Sequence, residues 1–153
     1  MGSKPFSKEK FKEIYSKVPR FCVEVLVRSP QGLLLSLRKE GHGWANMWHF
    51  TGGMVFYRES IEDAVHRVAL EEAGVKVKIV KCLGMMEFLD EEKERGFGHS
   101  ISASYLCDLV EGEPRPDEDS AALEYFKEIP ENIVWQHRDL LRKNWEEIRK
   151  DTF

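Results

Sequence analysis

The chain has 153 residues and a formal net charge of −4, with acidic and basic residues interspersed along its length. This length suits one domain, residues 1–153, with a substantial hydrophobic core. The weak negative charge argues against binding to a nucleic acid polymer or an anionic membrane, and no apolar run approaches the ~20 residues of a membrane span. A small phosphorylated ligand is compatible with this charge, because a few cations suffice to bind it.

The first third of the chain carries one helical pattern and two strand patterns. Ser7 precedes apolar residues at helical spacing in "KEKFKEIYSKV", which predicts a short capped helix. Alternating residues in "RFCVEVLVR" and the apolar "LLLSLR" predict two strands, and the turn sequence "SPQG" between them predicts a hairpin. Residues 39–48 predict a loop, after which "WHFTGG" is expected to return to the core and end in a glycine turn.

Helical spacing returns after the two glycines. Ile61, Ala64, Val65 and Val68 share one helix face, and Gly74 suits a helix C-terminal cap. After it we predict strands at residues 75–80, 85–89 and 99–110, loops at residues 90–98 and 111–120, and an amphipathic helix at residues 138–150. This mixture of hairpins and helices predicts an α+β fold or an α/β sandwich with a mixed sheet.

The three cysteines, Cys22, Cys82 and Cys107, each lie in an apolar, strand-like segment. Because their number is odd, they are predicted to be buried free thiols in a reducing compartment. No secretory signal pattern occurs, so a cytoplasmic protein is expected.

The segment "GGMVFYRESIEDAVHRVALEEAGV" combines two glycines with an adjacent pair of acids. Gly52 and Gly53 can adopt backbone conformations closed to other residues, and they allow a ligand or metal to approach closely. Glu71 and Glu72 offer the oxygen ligands that Mg²⁺ prefers alongside substrate phosphates. Arg67 lies one helical turn before Glu71, so it can orient an acid or offset the charge of the pair. The alternative is an ordinary amphipathic helix whose acids are solvated.

The full spacing of this segment resembles the Nudix box. That signature is a glycine, five residues, a glutamate, seven residues, an arginine, a glutamate, an aliphatic, any residue, two glutamates, any residue, a glycine and an aliphatic. The matching positions here are Gly53, Glu59, Arg67, Ala69, Glu71, Glu72, Gly74 and Val75. The resemblance implies a Nudix α/β/α sandwich with a mixed β-sheet and a loop-helix-loop metal-binding motif.

The same resemblance implies a hydrolase that uses Mg²⁺, with Mn²⁺ as a substitute, and the family often forms homodimers. Glu59, Arg67 and Glu71 are then the catalytic residues of the box. In that assignment Glu59 and Arg67 organise the box, while Glu71 and Glu72 hold the metal.

Val68 departs from the family pattern, in which a glutamate at this position binds metal or accepts a proton. Its presence leaves two outcomes: a site with fewer ions, or a domain that binds a nucleotide without catalysing a reaction.

A comparable loss occurs in the GDP-mannose mannosyl hydrolase branch, which this chain resembles in further residues. By that resemblance Arg38 and His99 face the diphosphate, and Glu24 is the acid of the first strand. A single Mg²⁺ is then held by Gly52 and Glu72.

The general base of that branch has no counterpart in this chain. The branch uses a histidine preceded by a metal-binding glutamine in a late loop, and the corresponding "RPDEDSAALEYF" contains neither. Glu118, Asp119 and Glu124 are the candidate bases instead, because a carboxylate near metal-bound water can accept its proton. Attack at phosphorus is therefore favoured over attack at the sugar carbon.

Three functions fit these features. The first is a Mg²⁺-dependent hydrolase of a nucleoside diphosphate linked to another group, as in a nucleotide sugar or nucleotide pyrophosphate. The others are a non-catalytic module that binds a nucleotide or nucleotide sugar, and a pyrophosphohydrolase that removes damaged nucleoside triphosphates. Each implies a small-molecule nucleotide ligand, and the choice depends on loop shapes that the sequence does not reveal.

Overall fold

The computed structural model describes residues 6–153, so the first five residues of the predicted domain lie outside it. The elements within this range are α1 Lys8–Tyr15, β1 Arg20–Ser29, β2 Gly32–Arg38, β3 Trp48–His49, β4 Thr51–Met54, α2 Ile61–Val68, a π-helical turn Ala69–Ala73, β5 Lys76–Phe88, α3 Glu91–Arg95, β6 Ser100–Glu111, β7 Ser120–Phe126 and α4 Trp135–Arg149. No helix in residues 6–153 is both long and apolar enough to cross a membrane.

The strands form one mixed sheet. β3, β2, β1, β6 and β5 follow one another across it, while β4 pairs with β1 and β7 pairs with β2. β1 and β6 are parallel, in a register that joins Glu24 to Ser104. The other strand pairs are antiparallel, and the pairing of β1 with β2 confirms the predicted hairpin.

Helices cover both faces of the sheet. α2 and the π turn pack on the face that carries Val23 and Val25 of β1. α4 packs on the opposite face, where Leu141 and Ile148 join Leu26 of β1 in a second buried core. Two cores on one sheet confirm the predicted α/β/α sandwich.

The glycine pair does not form the predicted turn. Gly52 and Gly53 lie within β4, and neither has a positive φ angle. A side chain at Gly52 would clash with the carboxylate of Glu24, and a Cβ atom at Gly53 would lie 3.0 Å from Cγ2 of Val68. Glycine is therefore needed here because neighbouring side chains fill the space, and not because the backbone is unusual.

Two segments predicted to be loops contain regular structure. Residues 120–126 form β7 because they pair with β2, and α3 forms within the predicted loop at residues 90–98. β5 also runs unbroken through the gap between two predicted strands.

The prediction of three buried thiols is wrong for Cys82. Cys22 and Cys107 are buried, but Cys82 is exposed. It lies on β5 at the edge of the sheet, where the register with β6 shifts between Cys82 and Gly84. All three cysteines are free thiols, as predicted.

Candidate active site

Arg67 is the centre of a closed hydrogen-bond network at the end of α2. Its Nε donates to Glu59 Oε2 at 2.6 Å, and its Nη2 donates to Glu59 Oε1 at 2.8 Å and to the Met54 carbonyl at 2.7 Å. Its Nη1 donates to Glu71 Oε2 at 3.1 Å. The hydrogen bonds from Arg67 lower the pKa of Glu59, which is therefore held as a carboxylate. This geometry makes Glu59 a partner that positions Arg67.

Local sequence explains how this network forms. Ser60 caps α2 by accepting a hydrogen bond from the amide of Asp63 at 3.0 Å. Arg67 and Glu71 meet one helical turn apart, as predicted. The chain then widens into the π turn, a feature that often occurs at functional sites, and ends at Gly74 with φ 71°. The predicted glycine cap is confirmed.

The side chain of Glu72, in the same π turn, lies next to that of Asp117. Burial, the adjacent Asp117 and, to a smaller extent, Asp119 together raise the pKa of Glu72 to about 9. Burial alone would raise the pKa of Asp117, but its hydrogen bonds with Glu72, Ser120 and the Asp119 amide lower it overall. Two carboxyl groups therefore share one half-buried position, and within residues 6–153 neither forms an ion pair with a cation.

The loop after β6 brings Asp117 to this position. The amide of Arg115 donates to the Ala73 carbonyl at 3.0 Å. Gly112 approaches so closely that a Cβ atom there would lie 2.7 Å from the Gly74 carbonyl oxygen. The loop is thus fixed to the end of the π turn by contacts distant in sequence. Sequence reasoning missed Asp117, and its only signal was its place in an acidic, proline-rich loop.

The charge of Arg38 acts on three acids of the candidate site. Arg38 ends β2, where the register with β7 shifts between Leu37 and Arg38. Its positive charge favours the ionised forms of Glu24, Glu72 and Asp117. Its Nε atom is buried without a hydrogen-bond partner among the described residues. Such an unsatisfied donor is costly unless a ligand or water accepts its hydrogen bond.

Glu24 lies on β1 directly opposite Gly52 of β4. The pKa of Glu24 is raised to about 8, because burial outweighs the opposing effect of the Ser102 hydroxyl, which donates to it at 3.2 Å. Glu24 is therefore mainly protonated at neutral pH and would not repel a diphosphate.

Two histidines beside Phe50 were given no site role from the sequence. The Phe50 amide donates to His137 Nδ1 at 3.0 Å, and the two rings stack with centroids 4.1 Å apart. His49 Nδ1 lies 2.6 Å from the Phe50 carbonyl and donates to it, so Nε2 is left as a buried acceptor without a partner. Burial lowers the pKa of His49 to about 4 and that of His137 well below its usual value. Both rings are therefore neutral near pH 7.

The remaining predicted residues are dispersed. His99 lines a pocket against α1, and no hydrogen bond or ion pair within residues 6–153 joins it to Arg38 or Glu72. Glu118 and Glu124 are exposed, and Glu124 lies in β7 and not in a loop. Of the three candidate bases, Asp119 is the one whose charge acts on Glu72.

The donor set suits a hard divalent cation with few protein ligands. Glu72 and Asp117 offer carboxylate oxygens, and β4 with its two glycines packs against the π turn that carries Glu72. No group of three or more His, Cys, Asp and Glu side chains within residues 6–153 is arranged to hold a metal. Mg²⁺ and Mn²⁺ fit such a site, because water and substrate phosphate complete the shell of Mg²⁺ in many proteins.

Comparisons with known proteins agree with this geometry. The family model of the NUDIX domain matches residues 18–150. The low-salt glycan biosynthesis protein Agl8 of Haloferax volcanii is 31% identical over 122 residues, which cover 78% of each chain. An ADP-ribose pyrophosphatase of Methanocaldococcus jannaschii is 25% identical over 126 residues, covering 81% of this chain and 72% of that protein.

A solved structure extends the agreement to the fold. The MutT Nudix hydrolase of Burkholderia pseudomallei superimposes with a TM-score of 0.72 at 27% identity, over 82% of this chain and 98% of the other. The NUDIX domain match, residues 18–150, contains the Arg67 network and the acid pair. The chain therefore belongs to the Nudix hydrolase family.

Proposed function

We propose that the protein hydrolyses a nucleoside diphosphate linked to another group, such as a nucleotide sugar or a nucleotide pyrophosphate. The observation that carries this proposal is the meeting of Glu72 and Asp117 near Arg38. Within residues 6–153 neither carboxyl group forms an ion pair, and Arg38 Nε is buried without an acceptor. A divalent cation would supply positive charge to the carboxyl groups, and a diphosphate would supply the acceptor for Arg38.

In this proposal Glu72 and Asp117 hold Mg²⁺, with the Gly52 carbonyl and Glu71 as the further ligands predicted from the sequence. Arg67 binds Oε2 of Glu71, and Oε1 has no hydrogen bond from a described residue. Bound Mg²⁺ would supply charge neutralisation at the diphosphate and lower the pKa of a water molecule. Of these acids, Arg67 fixes Glu71, because its Nη1 donates to Glu71 Oε2 while its Nε and Nη2 donate to Glu59 and the Met54 carbonyl.

The chain's own residues act on the diphosphate from the opposite side. Arg38 donates to phosphoryl oxygens, since guanidinium matches their geometry and charge. Glu24, which burial keeps protonated near pH 7, donates to a neighbouring oxygen instead of repelling it. We favour Asp119 as the base that accepts a proton from water, because its charge reaches Glu72.

Val68 is compatible with this function because another acid takes the place of the missing glutamate. Its side chain is 1% exposed and packs against Gly53 in the core beneath the helix. Asp117 brings a carboxylate to the acid pair from outside the box. We infer a site with fewer ions, and not a lost site.

The named activity of one relative supports the substrate class. The Methanocaldococcus jannaschii protein is named an ADP-ribose pyrophosphatase, and ADP-ribose is a nucleoside diphosphate linked to a sugar. A cytoplasmic location and a homodimer remain predictions.

The test is a substrate screen in ¹⁸O-labelled water with Mg²⁺. Nucleotide sugars, dinucleoside polyphosphates and nucleoside triphosphates are compared, and the products are identified by mass spectrometry. We expect a nucleoside monophosphate among the products and the label in a phosphate group, which reports attack at phosphorus. Label in a free sugar would instead indicate attack at carbon. Saturable binding without hydrolysis under excess Mg²⁺ would overturn the proposal and support a non-catalytic module.

A further inference from the structure

A pocket with a volume of about 350 Å³ lies between α1 and the turn at residues 96–99, outside the candidate active site. This size falls within the range of about 300–1,000 Å³ that is usual for small-molecule sites. Its lining includes the basic Lys12 and Lys17, the aromatic Tyr15 and Phe97, the acidic Glu92, and His99.

Basic side chains around this pocket lack acidic partners. Within residues 6–153, no ion pair involves Lys12, Lys17 or the nearby Arg95. The Arg95 guanidinium lies 4.8 Å from the centroid of the Phe97 ring, and Lys12 Nζ lies 6.0 Å from the same centroid. Arg95 is exposed overall, and partial desolvation together with the positive charge of Arg20 lowers the pKa of its guanidinium. Cations held together in this way favour an anion between them.

His99 adds an unsatisfied polar atom to the same pocket. Its Nε2 is buried without a hydrogen-bond partner among the described residues. The amide of Arg20 donates to the His99 carbonyl at 2.8 Å, which fixes the backbone of His99 at the start of β6. A ligand with polar groups would satisfy this atom.

Arg20 links the pocket to the candidate active site. Its guanidinium lies 5.6 Å from the centroid of the Phe11 ring on α1, and it donates to the hydroxyl of Ser100 at 3.1 Å. On the other side its charge favours the ionised form of Glu24. Arg20 thus contacts Phe11 of α1 on one side and lies four residues before Glu24 on the same strand.

We infer that the pocket between α1 and the turn at residues 96–99 binds an anionic group, a carboxylate or a phosphate, carried by the part of the substrate beyond its diphosphate. This inference rests on the proposed function for the identity of that substrate. It narrows the substrate class to compounds whose second group carries its own negative charge. Lys12, Lys17 and Arg95 supply the charge, while Phe97 and Tyr15 contact the apolar face of the same group.

The first experiment compares UDP-glucose with UDP-glucuronate, which differ by one carboxylate. The wild-type protein should give a KM for UDP-glucuronate at least about tenfold lower, as one charge-assisted hydrogen bond implies. The variant Lys12→Gln/Arg95→Gln should bring the two KM values close together. The control Lys10→Gln/Lys93→Gln removes the same charge from α1 and α3 outside the pocket and should keep the preference. Equal KM values in the wild type, or an unchanged preference in the first variant, would overturn the inference.

The second experiment needs no turnover. Glucose, glucuronate and glucose 6-phosphate are titrated into the metal-free protein, and amide NMR shifts of residues 96–99 are followed. Shifts with either anion but not with glucose support the inference, and the responding anion identifies carboxylate or phosphate. No shift with either anion contradicts it. If the anions bind but no nucleotide is hydrolysed, the proposed function fails and the anion site stands. If nucleotides are hydrolysed without a preference for a charged second group, the proposed function stands and the anion site fails.

Discussion

Arg67 and Arg38 border the same candidate site, but they differ in how far their hydrogen-bond donors are satisfied. Every nitrogen of the Arg67 guanidinium donates to a described acceptor, and the ring of Phe56 lies 3.8 Å away. Arg38 has a buried Nε without any described partner. The difference separates two uses of one residue type. A satisfied guanidinium holds the fold in place, whereas an unsatisfied one is available to a ligand.

Replacing Arg67 is expected to give the largest effect. Arg67→Gln leaves Glu59, whose side chain is 14% exposed, without its cation, and removal of one member of a buried pair costs about 3–5 kcal/mol. Urea unfolding should show this loss in the metal-free protein. Arg149→Gln, which removes an exposed pair at 4.0 Å, should change the free energy of unfolding by less than about 0.5 kcal/mol. A loss for Arg67→Gln as small as this control would contradict a structural role.

Val68→Glu restores the family's usual residue and tests whether that position still faces a cation. Without metal, a carboxylate placed where Val68 is 1% exposed should destabilise the fold by on the order of 2–3 kcal/mol. Val68→Gln is the uncharged control of similar size. If Mg²⁺ recovers stability for Val68→Glu but not for Val68→Gln, the position borders the metal site. Full stability of Val68→Glu without metal would show that the position is not apolar.

Arg38→Gln should affect binding more than folding. Loss of one charge-assisted hydrogen bond to a diphosphate predicts a fall in kcat/KM of roughly 10- to 100-fold. The free energy of unfolding should hardly change, because Arg38 has no described partner at Nε. Lys39→Gln, at the next and exposed position, is the matched control. A large loss of stability with unchanged kinetics would place Arg38 with Arg67 and remove the contrast.

The most gradual expected effect is a pH dependence caused by Glu24. The folded protein holds the Glu24 proton up to about pH 8, while the unfolded chain releases it near the ordinary value of 4.5. The stabilising contribution is therefore complete below the ordinary value and is lost as pH rises towards 8. The wild type should lose up to about 1 kcal/mol per pH unit relative to Glu24→Gln over this window. Parallel stability curves for the two proteins would contradict a raised pKa.

The sequence predicted the parts of the site that depend on local spacing. Arg67 meets Glu71 because they are one turn apart, and Gly74 ends the helix because its φ angle is positive. Asp117 was missed because its position depends on the contacts of Arg115 and Gly112 with the end of the π turn. Such contacts between distant segments leave no periodic signal.

The fold shows the same division. Alternating strands and the amphipathic face of α2 were predictable, since each buries one regular set of side chains. β7 was predicted to be part of a loop because the segment before it is polar. The strand is stabilised by its pairing with β2, which is distant in sequence. α3 was missed because its five charged residues have no apolar stripe.

The most direct test of the account is the Mg²⁺ dependence of turnover in Glu72→Gln, measured on the best substrate from the screen. Glu128→Gln removes an exposed acid from the segment after β7 and serves as the control. If the acid pair binds the metal, Glu72→Gln should lose Mg²⁺-dependent turnover, while the control keeps the wild-type response. Turnover with an unchanged Mg²⁺ dependence in Glu72→Gln would contradict the assignment of the metal to the acid pair.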